Sequence, residues 1–148
     1  MKKTYSDLHK GKEVFLELPF KVSNGYTNKG KKKYMHFAPS LNEIIAKAKN
    51  HHVWSSFKRD AEEQIGWEIK KQTREHFDNP VAITFQRHAT RFLDWDNAAA
   101  SFKLIGDALV SVGVLDDDTP ERIAKFFPEQ YKVDHIVDEK IIIKIWEI

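Results

Sequence analysis

Residues Leu93–Asp118 read LDWDNAAASFKLIGDALVSVGVLDDD. The stretch opens with Asp94 and Asp96, followed by Asn97, and closes with Asp116, Asp117 and Asp118. Between the acids the apolar residues recur at helical spacing. At about 100° per residue, Ala98, Phe102, Ile105, Leu109 and Val112 fall on one side of a helix. Asp96, Lys103 and Asp107 fall within roughly 20–40° of one another on the other side, with Ala100 between them. The spacing predicts a helix from near Asp96 to Gly113, a glycine suited to a helix C-terminus. Its apolar side should face a core, leaving the Asp–Lys–Asp side toward solvent or a cleft.

The flanking sequence supplies strands for that helix to pack on. PVAITFQRHA, just upstream, alternates Val81, Ile83 and Phe85 as a strand. KIIIKIW, Lys140–Trp146, is β-branched and reads as another. Glu13–Phe20, EVFLELPF, alternates Val14, Leu16 and Leu18 against Glu13, Phe15 and Glu17, with Pro19 at its end. Pro120–Phe127 is ambiguous between a helical turn and a strand. Ser40-Leu41-Asn42-Glu43 has the form of a capping box and predicts a short helix to about Asn50. Trp54, Phe57, Ala61, Ile65 and Ile69 form one apolar stripe, predicting a second helix over about Trp54–Arg74. Between strand and helices, KVSNGYTNKGKKKYMHFAPS carries Asn24-Gly25, Asn28 and Gly30, and reads as a basic loop or an irregular hairpin. The class expected is α+β: a small mixed β-sheet with helices packed on it, in one domain spanning 1–148.

Composition sets the bounds. The chain has 148 residues, 41% hydrophobic and 12% aromatic, enough for one sizeable core. It has no cysteine, which fits a reducing compartment such as the cytoplasm. MKKTYSDLHKGK has no apolar run after its lysines and does not read as a signal peptide. No apolar run reaches membrane-spanning length, so no membrane partner is expected. The net charge of +2 is unevenly placed. Residues 1–74 hold 16 Lys+Arg against 8 Asp+Glu, and residues 75–148 hold 8 against 14. The halves either attract each other or serve as a polyanion-binding surface beside a cation site.

Two explanations compete for the acids. Asp94, Asp96 and Asn97 are residues that cap helices, and Asp116–Asp118 suit an exposed turn before Pro120. Yet one cap needs one such residue, and acids just past a helix C-terminus oppose its dipole. A hard divalent cation, Mg2+ or Mn2+, resolves the conflict, because such ions take carboxylate, water and phosphate oxygens. In phosphodiester hydrolysis such an ion activates water and stabilises the transition-state charge. A lysine on the same face can hold a phosphate oxygen.

At Asp94-x-Asp96-Asn97 and at Lys103-x-x-x-Asp107-Ala108-Leu109, followed by Gly113 and Asp117-Asp118, the chain resembles the RusA family of Holliday junction resolvases from phages and prophages. LPF-x-x-SN, Leu18–Asn24, adds to the likeness, which is close from about Val81 to Ile148. The resemblance implies a small α+β homodimer that binds four-way DNA junctions in recombination and repair, and nicks them in pairs with magnesium or manganese. It implies three catalytic, metal-binding aspartates, Asp94, Asp96 and Asp118, and a catalytic lysine, Lys103. Asp117 is the close alternative to Asp118 as metal ligand, and Asp116 is an extra acid. In one respect the chain departs from the family: three more residues separate the lysine from the DxDN aspartates, which lengthens its reach by about 4.5 Å.

A nuclease needs cations for phosphate. Lys29, Lys31, Lys32 and Lys33, with Tyr26 and Tyr34, are expected to contact DNA, as is Arg91; Lys58, Arg59 and Arg87 are secondary candidates. The seven histidines show no metal-binding spacing, and His51-His52 suits a helix C-terminus. Trp54, Trp67 and Trp146 are expected in the core or a dimer interface. Trp95, alternating with the two aspartates, is expected to point away from them into packing. Two alternatives stay open: a non-catalytic DNA-binding module, and a nuclease of the same fold acting on other branched DNA.

Overall fold

The structure is a computed structural model that describes residues 11–148; the signal-peptide reading falls mostly on residues 1–10, outside them. In chain order the elements are β1 (Glu13–Pro19), β2 (Lys21–Tyr26), β3 (Lys32–His36), α1 (Leu41–Ala48) and α2 (His51–Gln72). Then come β4 (Val81–Ala89), α3 (Trp95–Ala100), α4 (Lys103–Ser111), β5 (Ile123–Lys132), a 3-10 turn (Ile136–Asp138) and β6 (Lys140–Glu147). The mixed sheet with packed helices is the expected α+β arrangement. Among the described residues no helix is long and apolar enough to cross a membrane.

The main sheet has strand order β1-β6-β4-β5. β6 runs antiparallel to both β1 and β4, and β4 and β5 are parallel. Alternation decides which face is buried. Val14, Leu16 and Leu18 of β1, Ile83 and Phe85 of β4, and Ile141, Ile143 and Ile145 of β6 all join one core. Ala61, Ile65 and Ile69 of α2 and Leu104, Ile105, Ala108 and Leu109 of α4 complete it from the helix side. Each large aliphatic or aromatic side chain buried this way contributes about 1.5–3 kcal/mol. The opposite face carries Phe15, Phe127 and Tyr131, all exposed. β5 is an edge strand, which is why Pro128 is tolerated within it.

The basic segment is the hairpin, not the loop: β2 and β3 form a separate two-stranded sheet with an irregularity between Ser23 and Tyr26. Ser40 caps α1, its hydroxyl accepting from Glu43 N at 3.2 Å. His51-His52 begins α2 rather than ending a helix. Asn50 is the cap, its side chain accepting from His52 N and Val53 N, so the dipole argument for the two histidines does not apply.

The acidic helix is broken. The expected single helix from Asp96 to Gly113 is α3 and α4, parted at Ser101-Phe102. Ser101 is fully buried, and its hydroxyl donates to Ala98 O at 2.6 Å. A serine bonded back into its own turn bends a helix. Phe102 N then bonds Ala99 O, a tighter three-residue step, and Gly106 N bonds Phe102 O to start α4. Asp96 therefore stands on α3, while Lys103 and Asp107 stand on α4.

Candidate functional site

The first acidic cluster sits where β4 hands over to α3. Asp94 is the N-cap residue of α3, yet its side chain makes no capping hydrogen bond. Asp96 lies in the first turn, where the helix dipole favours a negative charge. Both are exposed. Beside them Arg91, Phe92 and Trp95 are exposed, the last at 61%. Trp95 is thus not packed, because starting the helix at Trp95 replaces the strand-like alternation that would have turned it inward. Buried Asn97 Oδ1 has no hydrogen-bond partner.

The backbone ahead of Asp94 is held from the sheet. Thr90 donates to Glu139 Oε2 from its amide at 3.0 Å and from its hydroxyl at 3.2 Å. Arg87 Nη1 donates to Arg91 O at 3.3 Å. Leu93 N donates to Gln130 Oε1 at 2.7 Å, and Gln130 Nε2 donates back to Leu93 O at 2.8 Å. Arg87 is only 9% exposed, with its guanidinium 4.8 Å over the Phe20 ring, so it is a structural residue rather than a DNA contact. Burial lowers its pKa, and the nearby charge of Glu139 opposes that shift.

The second cluster lies between α2 and the end of α4. Asp107, Asp117 and Asp118 line an open cleft of about 250 Å³ with Lys58 and Glu62. Lys103 Nζ lies 3.1 Å from Asp107 Oδ1, and Lys58 Nζ 3.7 Å from Asp107 Oδ2. Asp118 N donates to Asp117 Oδ1 at 2.8 Å. Asp116 has a different job. It pairs with His76 at 3.4 Å and Arg122 at 3.5 Å, while His76 Nδ1 lies 2.6 Å from Gly113 O. Gly113 has φ +84°, so it makes the turn that a side chain would strain. These ties fix the approach of the acidic triplet and relieve part of the unfavourable dipole contact.

Topology separates the two clusters. β4 and β5 are parallel, so the segment joining them leaves at one end of the sheet and returns at the other. Leu93 is bonded to Gln130, whose register partner is Arg87 near the end of β4. Asp116 is bonded to Arg122, whose carbonyl accepts from Val81 N at the start of β4. From Arg122 to Gln130 is roughly 25 Å at about 3.3 Å per strand residue. The loop that precedes Asp94 and the turn that carries Asp116 are therefore anchored at opposite ends of the β4–β5 pair. Among the described residues no three His, Cys, Asp or Glu side chains group as a metal-holding set. No family model matches this chain, and no curated protein does either.

The expected phosphate contacts are presented to solvent. Lys29, Lys31, Lys32 and Lys33 are all exposed at and beside the tip of the β2–β3 hairpin. Thr27 closes the tip, donating from its amide to Lys31 O at 2.7 Å and accepting at its carbonyl from Gly30 N at 2.9 Å. Lys21 Nζ lies 4.5 Å over the Tyr34 ring. Trp67 is 62% exposed and is not a core residue. Gln130 and Glu139 were missed from sequence because nothing local marks them: they act on residues 37 and 49 positions away.

Proposed function

We propose that this protein is a metal-dependent, structure-selective DNA endonuclease of the Holliday junction resolvase type. One observation carries the reading. Asp94 stands at a helix N-cap with its carboxylate unused for capping, beside an exposed Asp96, on a backbone pinned from three directions. A carboxylate that only capped would spend its oxygens on the N2 or N3 amide. The resemblance to the RusA family supports four-way junctions as substrate and Mg2+ or Mn2+ as cofactor. When bound, such an ion supplies a Lewis acid at the scissile phosphate. The exposed hairpin lysines give a phosphate-binding surface.

The separation of the acids gives the homodimer a purpose. An isologous dimer brings the same two patches of each copy together twice. If Asp94 and Asp96 of one copy meet Asp117 and Asp118 of the other, two equivalent sites form, as paired nicking requires. Lys103 and Lys58, on the second cluster, would then enter with the partner's aspartates. This also bears on the lengthened Lys103 spacing. Lys103 pairs with Asp107 on α4, while Asp96 stands on α3, so in a site shared between copies its distance along the sequence from Asp96 need not be kept.

The test offers a labelled four-way junction and a linear duplex, with and without magnesium. Metal-dependent nicking of the junction is expected, lost in Asp94→Asn and Asp96→Asn while junction binding persists. Binding without any metal-dependent nicking would instead mark a DNA-binding module. Nicking of other branched DNA in preference to the junction would keep the enzyme and change its substrate.

A further inference from the structure

We infer that Gln130 is a positioning residue for the Asp94-x-Asp96 carboxylates, acting through the peptide groups of Leu93; its catalytic consequence rests on the nuclease reading above. Leu93 directly precedes Asp94, and both its amide and its carbonyl are bonded to the one side-chain amide of Gln130, at 2.7 and 2.8 Å. The carboxamide is suited to this. It offers one donor and one acceptor in a plane, and so imitates a strand partner for a single residue beyond the end of β4. The β4–β5 ladder ends at Ala89 and Lys132, so Leu93 lies past the reach of backbone pairing.

Two further sheet side chains act on the same loop. Glu139 receives both donors of Thr90, and Arg87 donates to Arg91 O. The three side chains come from β5, β4 and the residue before β6. Loop residues Thr90, Arg91 and Leu93 are thereby tied to the rigid sheet, while the side chains of Arg91, Phe92 and Asp94 remain exposed. The loop is fixed through its backbone and its reactive side chains are left free. That is how a site on a loop reaches the precision of one on a strand.

The test compares wild type, Gln130→Ala and Gln130→Glu by hydrogen exchange of the peptide covering residues 90–97, and by steady-state junction nicking. Gln130→Ala should speed exchange in that peptide while α2 and β6 keep wild-type protection, which separates a local from a global effect. Its kcat should fall on the order of tenfold to a hundredfold, with the junction KM within about twofold of wild type. Gln130→Glu keeps the acceptor for Leu93 N but sets a carboxylate oxygen against Leu93 O in place of the donor, so it should restore neither the protection nor the kcat of wild type. Unchanged exchange in Gln130→Ala overturns the clamp. Faster exchange with wild-type kcat overturns the positioning role and leaves the nuclease reading standing. A wild type that shows no metal-dependent nicking overturns both, and does so before any variant is compared.

Discussion

Gly66→Ala probes the seam that sets the second acidic cluster in place. Gly66 is a buried residue in the interior of α2, facing the end of α4. A Cβ built there would lie 2.9 Å from Val112 Cγ1. Carbon atoms in good contact sit about 3.5–4.0 Å apart, so one helix end must give way. Alanine in place of glycine favours a helix interior by about 1 kcal/mol. Overpacking a close contact costs about 1–3 kcal/mol, and Val112 is β-branched and therefore stiff at χ1. The net expectation runs from near neutral to about 2 kcal/mol destabilised, or a Tm lower by up to about 4–8 °C for a chain of this size. The diagnostic quantity is coupling. In a Val112→Ala background the clash is absent, so Gly66→Ala should become stabilising by about 1 kcal/mol, a coupling of about 1–3 kcal/mol. Urea or thermal unfolding of the four proteins measures it. A Gly66→Ala protein stabilised by the full helix propensity, with no coupling to Val112, would refute the close approach of α2 and α4.

Three other expectations follow from the same residues. Replacing Lys29, Lys31, Lys32 and Lys33 by alanine should weaken junction binding. Its salt dependence should flatten by about 0.9 in slope for each phosphate no longer neutralised, with unfolding unchanged. Burial, helped by Lys140 and opposed by Glu129 and Glu17, holds His88 below its ordinary pKa of 6.5. The folded state then binds fewer protons than the unfolded state just below pH 6.5, so His88 removes stability as pH falls from there toward its lowered value; the loss is small because the ring is only partly buried. His88→Gln should abolish that acid-side loss when unfolding is compared at about pH 5.5 and about pH 7.5. Gly113→Ala should destabilise by about 1–2 kcal/mol, because φ there is +84°. It should also lower nicking by displacing Asp117 and Asp118, which unfolding and cleavage assays on one preparation would show.

Much of the fold can be read from residue order because burial imposes a period. Val14, Leu16 and Leu18, and Ile141, Ile143 and Ile145, alternate because one face of the sheet is covered. Ala61, Ile65 and Ile69 repeat every fourth residue because α2 lies on that face. β5 stayed ambiguous for the converse reason: as an edge strand it has no fully buried side chain to mark a period. The break at Ser101 was hidden because the apolar pattern continues through it; only the bond from its hydroxyl to Ala98 O betrays it. The candidate acids were legible one by one, as was the Lys103–Asp107 pair at helical spacing. Their separation was not. It follows from β5 pairing parallel to β4, a long-range choice that no local spacing encodes.

The central claim is that each nuclease site draws aspartates from two copies of the chain. Mixing Asp94→Asn with Asp118→Asn protein tests it most directly. Each variant alone should be inactive. In a mixed dimer, one cross-chain site carries both substitutions and the other carries neither. Random pairing makes about half the dimers mixed, so nicking should return to about one quarter of the wild-type rate, as single nicks rather than pairs. If each site lay within one chain, every mixed dimer would carry two broken sites, and an inactive mixture would contradict the account.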